Sequence, residues 1–297
     1  MRADIAFNTT DGTTLRGWHY VPDGAGPFPT IVMAHGFSAV KEMYLDDYAA
    51  AFAAAGLASV VYDNRNLGAS DGTPRQELDP WLQIRDYSDA ITFAQSLKHT
   101  DPARIGIWGS SYSGGHVLVV GAVDRRVRAV VSQVPLASGY HGFRRIVSAD
   151  HLAPSFAMFA DDRRRRAAGA PPAMVPVVTQ DPAQPAALPT ADSYDWFTRT
   201  QAERAPAWRN EVTLRSLEYG LGYEPAAYIA QISPTPLLML VAVDDTLAVS
   251  DLAIAAYARA LEPKQLVLLR GGHFDAYISG FAESSGPAAA WFQQHLR

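Results

Sequence analysis

Cysteine is absent from the 297 residues, which excludes disulfides and thiolate metal sites and fits a reducing cytoplasm. No apolar run reaches the length of a membrane span, and Met1–Phe7 lacks the apolar core and small-residue cleavage site of a secretory signal. A soluble, cytoplasmic protein without a membrane partner is therefore expected. An excess of positive charge is missing too. The net charge of -5 argues against nucleic acid as a partner, because phosphate binding needs a concentrated basic surface. No internal repeat is visible. His116, His141 and His151 form no pair with metal-ligand spacing, so no metal and no other cofactor is expected. What remains is a globular balance of 48% hydrophobic and 19% charged residues. The length suits one large α/β domain with an insertion, or two small domains.

Residues 3–8 and 13–20 alternate like strands around the Asp11-Gly12 turn and are expected to form an antiparallel edge. Buried strands follow at Thr30 to Ala34, Ala58 to Tyr62, Arg104 to Trp108 and Val127 to Ser132, separated by helical patterns over 43–55 and 80–97. Alternating buried strands and helices specify a mostly parallel sheet with helices on both faces. The rhythm breaks between Pro135 and Ile232, then resumes with strands at Pro236 to Val243 and Gln265 to Leu269. Helices are expected over roughly 250–260 and from Pro287 to Leu296. The chain is accordingly divided into a core of 1–134 with 233–297 and an inserted cap over 135–232. The cap holds the run Asp161 to Arg166, expected to be a solvated helix face, a Pro/Ala-rich loop from Gly169 to Pro189, and the aromatics Tyr194, Trp196, Phe197 and Trp208.

The stretch Gly109-Ser110-Ser111-Tyr112-Ser113-Gly114-Gly115 stands between a strand pattern and a helical one. A serine at such a turn projects its hydroxyl above the sheet edge, and the positions two before and two after must be small. Ser111 satisfies this with Gly109 and Ser113, and the strand ends just before it. Ser113 also has small flanks and stays open; Ser110 is disfavoured because Trp108 would be its flank. A hydroxyl needs an imidazole to remove its proton and a carboxylate to orient that imidazole. His273 follows the last strand behind two glycines, and Asp244 and Asp245 follow the strand before it. Asp245 is preferred, with Val249 four residues on at the start of the next helix, but a one-residue shift would make Asp244 the acid. The oxyanion hole is expected from the backbone N–H groups of Tyr112 and Phe37. His35 is expected to brace its loop rather than act as a base. Asp63 and Arg65 are expected to pair and hold the glycine-rich loop that follows them.

These motifs carry a resemblance. His35-Gly36-Phe37, the run Asp63 to Gly72, Gly106 to Gly115 and Asn210 to Ser216 resemble the α/β-hydrolases related to dienelactone hydrolases and fungal polyketide transferases. Ser111-Tyr112 resembles the Ser-Tyr elbow of Xaa-Pro dipeptidyl-peptidase-like hydrolases. The resemblance implies an eight-stranded α/β-hydrolase fold with a helical cap, and the roles of nucleophile for Ser111, acid for Asp245 and base for His273. It also implies a serine hydrolase that cleaves a small-molecule ester or thioester through an acyl-enzyme. Acyl transfer to an alcohol or amine would use the same residues, and a non-catalytic ligand-binding protein on this scaffold is the reading from another class. Haloalkane dehalogenases and epoxide hydrolases would carry an aspartate at position 111, and a dinucleotide-binding enzyme would need G-x-G-x-x-G spacing that the chain lacks here. The oligomeric state is left open, a homodimer included.

Overall fold

The computed structural model describes residues 1–181 and 184–297. Ten strands run as β1 (Arg2–Asn8), β2 (Thr14–Tyr20), β3 (Phe28–Ala34), β4 (Ala58–Tyr62), β5 (Thr100–Ser110), β6 (Val127–Gln133), β7 (Met174–Val175), β8 (Val212–Thr213), β9 (Leu237–Ala242) and β10 (Lys264–Leu269). The α-helices among the described residues are α1 (Leu45–Ala54), α2 (Pro80–Ser96), α3 (Tyr112–Val123), α4 (Gly139–Ile146), α5 (Ala149–Ala167), α6 (Ala191–Glu203), α7 (Leu214–Leu221), α8 (Ser250–Arg259) and α9 (Phe281–His295).

Eight strands form one sheet in the order β1-β2-β4-β3-β5-β6-β9-β10. β1 and β2 are antiparallel around a turn at which Gly12 has φ of 87°, a conformation glycine adopts without strain. From β4 to β10 every pairing is parallel. Continuous apolar sequence in β4 and β9 is the signature of strands covered on both faces, and every residue of both is buried. α1 and α9 pack together on one face, while α2, α3 and α8 cover the other. Asp79 starts α2 by accepting the Trp81 and Leu82 N–H groups at 2.9 and 3.3 Å, with Pro80 in the first turn.

Between β6 and β9 the chain leaves the sheet for α4 to α7 and the ribbon of β7 with β8. That ribbon falls partly within the stretch expected to be loop. Two residues per strand are too few to establish a period, so no sequence pattern announces it. Pro182 and Ala183, inside the same expected loop, lie outside the described residues. A short 3-10 turn, Pro225–Ile232, returns the chain to pack against α3.

The last helix departs from expectation. α9 begins at Phe281, six residues before Pro287, rather than at the proline. Tertiary contacts hold that first turn: Ser284 Oγ bonds to the Tyr48 hydroxyl at 2.6 Å and to the Ala276 carbonyl at 2.8 Å, and Phe281 packs edge-on against Tyr48. They offset the backbone bond that proline cannot donate.

Candidate active site

Three parallel strands deliver three side chains to the same edge of the sheet. β5 leads into Ser111, β9 into Asp245, and β10 into His273. The carboxyl end of such a sheet is where ligands bind in open α/β folds.

Ser111 occupies a forbidden-looking backbone conformation, φ 59° and ψ -117°, which throws its side chain off the end of β5. The turn is tied down from β6: the Ser111 N–H donates to the Gln133 carbonyl and the Leu136 N–H to the Ser111 carbonyl, each at 2.9 Å. The small residues have steric causes. A Cβ on Gly109 would stand 2.2 Å from the Ser113 carbonyl oxygen, and one on Gly114 would stand 2.8 Å from the Gln133 carbonyl oxygen.

The two neighbouring serines point elsewhere. Ser110 Oγ is buried against the Tyr277 hydroxyl, and Ser113 Oγ is buried without a partner among the described residues. Ser111 Oγ alone faces an imidazole, 3.0 Å from His273 Nε2. On the other side of that ring, Nδ1 lies 2.7 Å from Asp245 Oδ2. The carboxylate can only accept, so Nδ1 carries the proton and Nε2 is left to accept from the serine. Asp245 is itself fixed, because its Oδ1 accepts the Leu247 and Ala248 N–H groups at 2.9 and 2.8 Å. Asp244 is exposed, with its backbone N–H bonded to the Gly271 carbonyl. The geometry therefore brings Ser111, His273 and Asp245 together and leaves Asp244 out.

The loop after β3 runs hard against the serine. A Cβ on Gly36 would stand 2.6 Å from Ser111 Cβ and 3.1 Å from its Oγ, so only glycine lets this backbone pass. His35 braces the loop as expected: Nε2 donates to the Met43 carbonyl at 2.8 Å and Nδ1 accepts the Gly36 N–H at 2.7 Å. Burial lowers the His35 pKa to about 4, which keeps Nδ1 free to accept. The Phe37 and Tyr112 rings meet edge to face at 5.5 Å, and both residues line one cavity with Ser111. Tyr112 is the first residue of α3, where an N–H has no carbonyl of its own helix to meet.

Asp63 and Arg65 both hold the loop after β4, but not by pairing with each other. Asp63 accepts from Lys41 Nζ at 2.7 Å and from the Ala69 N–H at 2.9 Å. Arg65 grips Asp86 through Nε at 2.6 Å and through Nη2, and reaches Asp11 at 2.7 Å. Neighbours in sequence on an irregular exit project to different sides, which spacing does not reveal. Of the remaining histidines, His116 is buried between Tyr223 and Gln83, 2.8 and 2.9 Å away, with its pKa lowered by burial to about 3. His141 and His151 are exposed. The arginine run is a solvated face: Arg166 pairs with Asp162 at 2.7 Å, Arg164 with Asp161 at 3.2 Å, and Arg163 with Glu218.

Two cavities open on Ser111. A small one, with little room beyond a single water, lies among His35, Trp196, His273 and Tyr277. A larger one of about 650 Å³ is walled by Phe37, Tyr112, Leu136, Phe143, Leu217 and Leu247, and none of its described lining residues is charged. The aromatics of the inserted segment do double duty. Trp196 stacks on Phe274 at 4.8 Å and Phe197 on Trp208 at 4.9 Å, while Trp196 and Phe197 also line the small cavity.

This sheet order, with a turn serine, a carboxylate and a histidine met in that sequence at one strand edge, defines an enzyme of the α/β-hydrolase type. Comparison with known proteins narrows the class. The family model described as X-Pro dipeptidyl-peptidase (S15 family) matches residues 11–275, and the chain belongs to that family. It is 32% identical to a thiohydrolase of Eupenicillium brefeldianum over 98% of this chain and 93% of the relative. It is also 32% identical to a polyketide transferase of Aspergillus fumigatus over 99% of each. Among solved structures it is similar to the α/β-hydrolase GrgF from Penicillium sp. sh18, with a TM-score of 0.86, 27% identity and coverage of 100% of this chain and 99% of that one.

Proposed function

We propose that the protein is a cytoplasmic serine hydrolase that cleaves a small-molecule thioester, or a carboxylic ester, through an acyl-enzyme on Ser111. The observation that carries this reading is the unbroken relay from Ser111 Oγ through His273 to Asp245, at 3.0 and 2.7 Å, beneath an uncharged cleft. Ser111 Oγ attacks the acyl carbon while His273 Nε2 takes its proton. Asp245 stabilises the resulting imidazolium. The N–H groups of Phe37 and Tyr112 receive the oxyanion, each such donor contributing about a hundred- to a thousand-fold to rate. His273 then returns the proton to the departing thiolate or alkoxide. Water, activated by the same imidazole, releases the acid. Residues 135–232 act as a cap: Leu136, Phe143, Ile146 and Leu217 from this segment wall the cleft in which the acyl group would lie.

The name of the first relative favours a thioester over an oxygen ester. A second reading, acyl transfer to an alcohol or amine, is favoured by the relative named a polyketide transferase and differs only in what meets the acyl-enzyme. A thiol-release assay with an acyl thioester, run beside the matching oxygen ester, tests the first reading, which expects faster thiol release. Release that occurs only when an alcohol or amine is added, with the acyl group found on the acceptor, supports the second. No turnover of either substrate under either condition would count against both.

A further inference from the structure

A polar cavity bounded by Val40, Gly68, Arg75, Gln76, Trp208 and Arg209 is not used by the chemistry above. It shares no lining residue with the two cavities at Ser111. Trp208 stands between: its ring stacks on Phe197 of the small cavity, and its indole N–H donates to the Ser38 carbonyl at 3.0 Å.

The donors around this space are built and unsatisfied. Arg75 gives Nη2 to the Gly68 carbonyl at 2.8 Å and Nη1 to the Ser70 carbonyl, which orients the guanidinium and leaves three of its five N–H groups free for a ligand. Arg209 meets Glu211 at 3.7 Å, too far for a strong charge-assisted hydrogen bond. Gln76 is only 6% exposed, and among the described residues its amide has no hydrogen-bond partner. The amide lines the solvent-filled cavity, where a ligand oxygen can take the place of water. No carboxylate lines the cavity. Burial and the like charge of Arg209 lower the Arg75 pKa more than Asp71 and Asp63 raise it, and two guanidinium groups share the space.

We propose that this cavity is a binding site for a small oxyanion of the phosphate class, separate from the acyl site and held by Arg75, Gln76 and Arg209. Free phosphate and a phosphomonoester share the chemistry, and the cavity has room for a substituent. Calorimetric titration of the whole protein with inorganic phosphate and with phenyl phosphate, at ionic strength held constant by sodium chloride, tests it. Saturable binding of at least one is expected, weakened ten-fold or more in Arg209→Ala and in Gln76→Leu. Ser111→Ala should bind as the wild type does, which separates this site from the proposed catalysis. Tighter binding of phenyl phosphate would identify an esterified ligand, and tighter binding of inorganic phosphate a free one. Absence of saturable binding to either ligand, or an affinity unchanged in Arg209→Ala of unaltered thermal stability, would overturn the proposal.

Discussion

At the scale of single residues, the site turns on which of two adjacent aspartates points inward. Asp245 is buried, meets His273 and takes two backbone N–H groups, whereas Asp244 is exposed. Asp245→Asn should lower kcat by about a thousand- to ten-thousand-fold, because the amide favours the wrong imidazole tautomer. Asp244→Asn should leave kcat within about three-fold, and steady-state kinetics of the two purified variants checks both. The reverse ranking would exchange their roles. The sequence favours Asp245 only through its spacing to Val249, since a shift of one residue reverses side-chain direction at a strand end. It was more informative about the serines. The bulk of Trp108 excludes Ser110, and the choice of Ser111 over Ser113 agrees with the burial of Ser113 Oγ away from His273. Gly36 shows what stays hidden: its contact with Ser111 joins loops that lie far apart in the chain.

At the scale of elements, periodicity located the strands of the main sheet, because strands covered on both faces must be apolar throughout. It failed at the ribbon of β7 and β8 and at the start of α9, where pairing and packing with distant segments override local signals. The exit of β4 is a third such case. Asp63 and Arg65 were legible as loop-holding residues, but their partners Lys41 and Asp86 come from other elements. Burial raises the Asp86 pKa to about 6, and opposite the Arg65 guanidinium it remains a carboxylate at neutral pH. Asp86→Ala should therefore leave the buried Arg65 guanidinium with only the half-exposed Asp11 as a partner and lower unfolding stability by about 1–3 kcal/mol. Asp71→Ala, which breaks the exposed, solvent-screened pair with Arg16, should cost clearly less. Urea unfolding of both variants reads the contrast, and equal losses would contradict it.

At the scale of the whole molecule, three histidines are buried in separate parts of the core, and burial lowers their pKa values to about 4 for His19 and His35 and about 3 for His116, from 6.5. The unfolded chain binds protons at these positions below pH 6.5, and the folded one does so only near pH 3 to 4. Their contribution is present above pH 6.5 and is lost as pH falls towards those folded values, at about 1.4 kcal/mol per pH unit for each proton taken up on unfolding. Asp46, Asp63 and Asp86, with raised values, act in the opposite sense, while Asp11, with a lowered one, adds to the loss on acidification. The urea midpoint should fall between pH 7 and pH 4.5, and a midpoint that rises on acidification would refute this. The inserted segment and the sheet together make the cleft at Ser111, and the chemistry proposed there stands on one nucleophile. The most direct measurement is labelling of the folded protein by a serine-directed fluorophosphonate, with the modified residue located by peptide mass analysis. The account predicts a single adduct on Ser111, lost in Ser111→Ala and strongly slowed in His273→Ala. No adduct on the folded wild type, or equal labelling of Ser111→Ala, would contradict it.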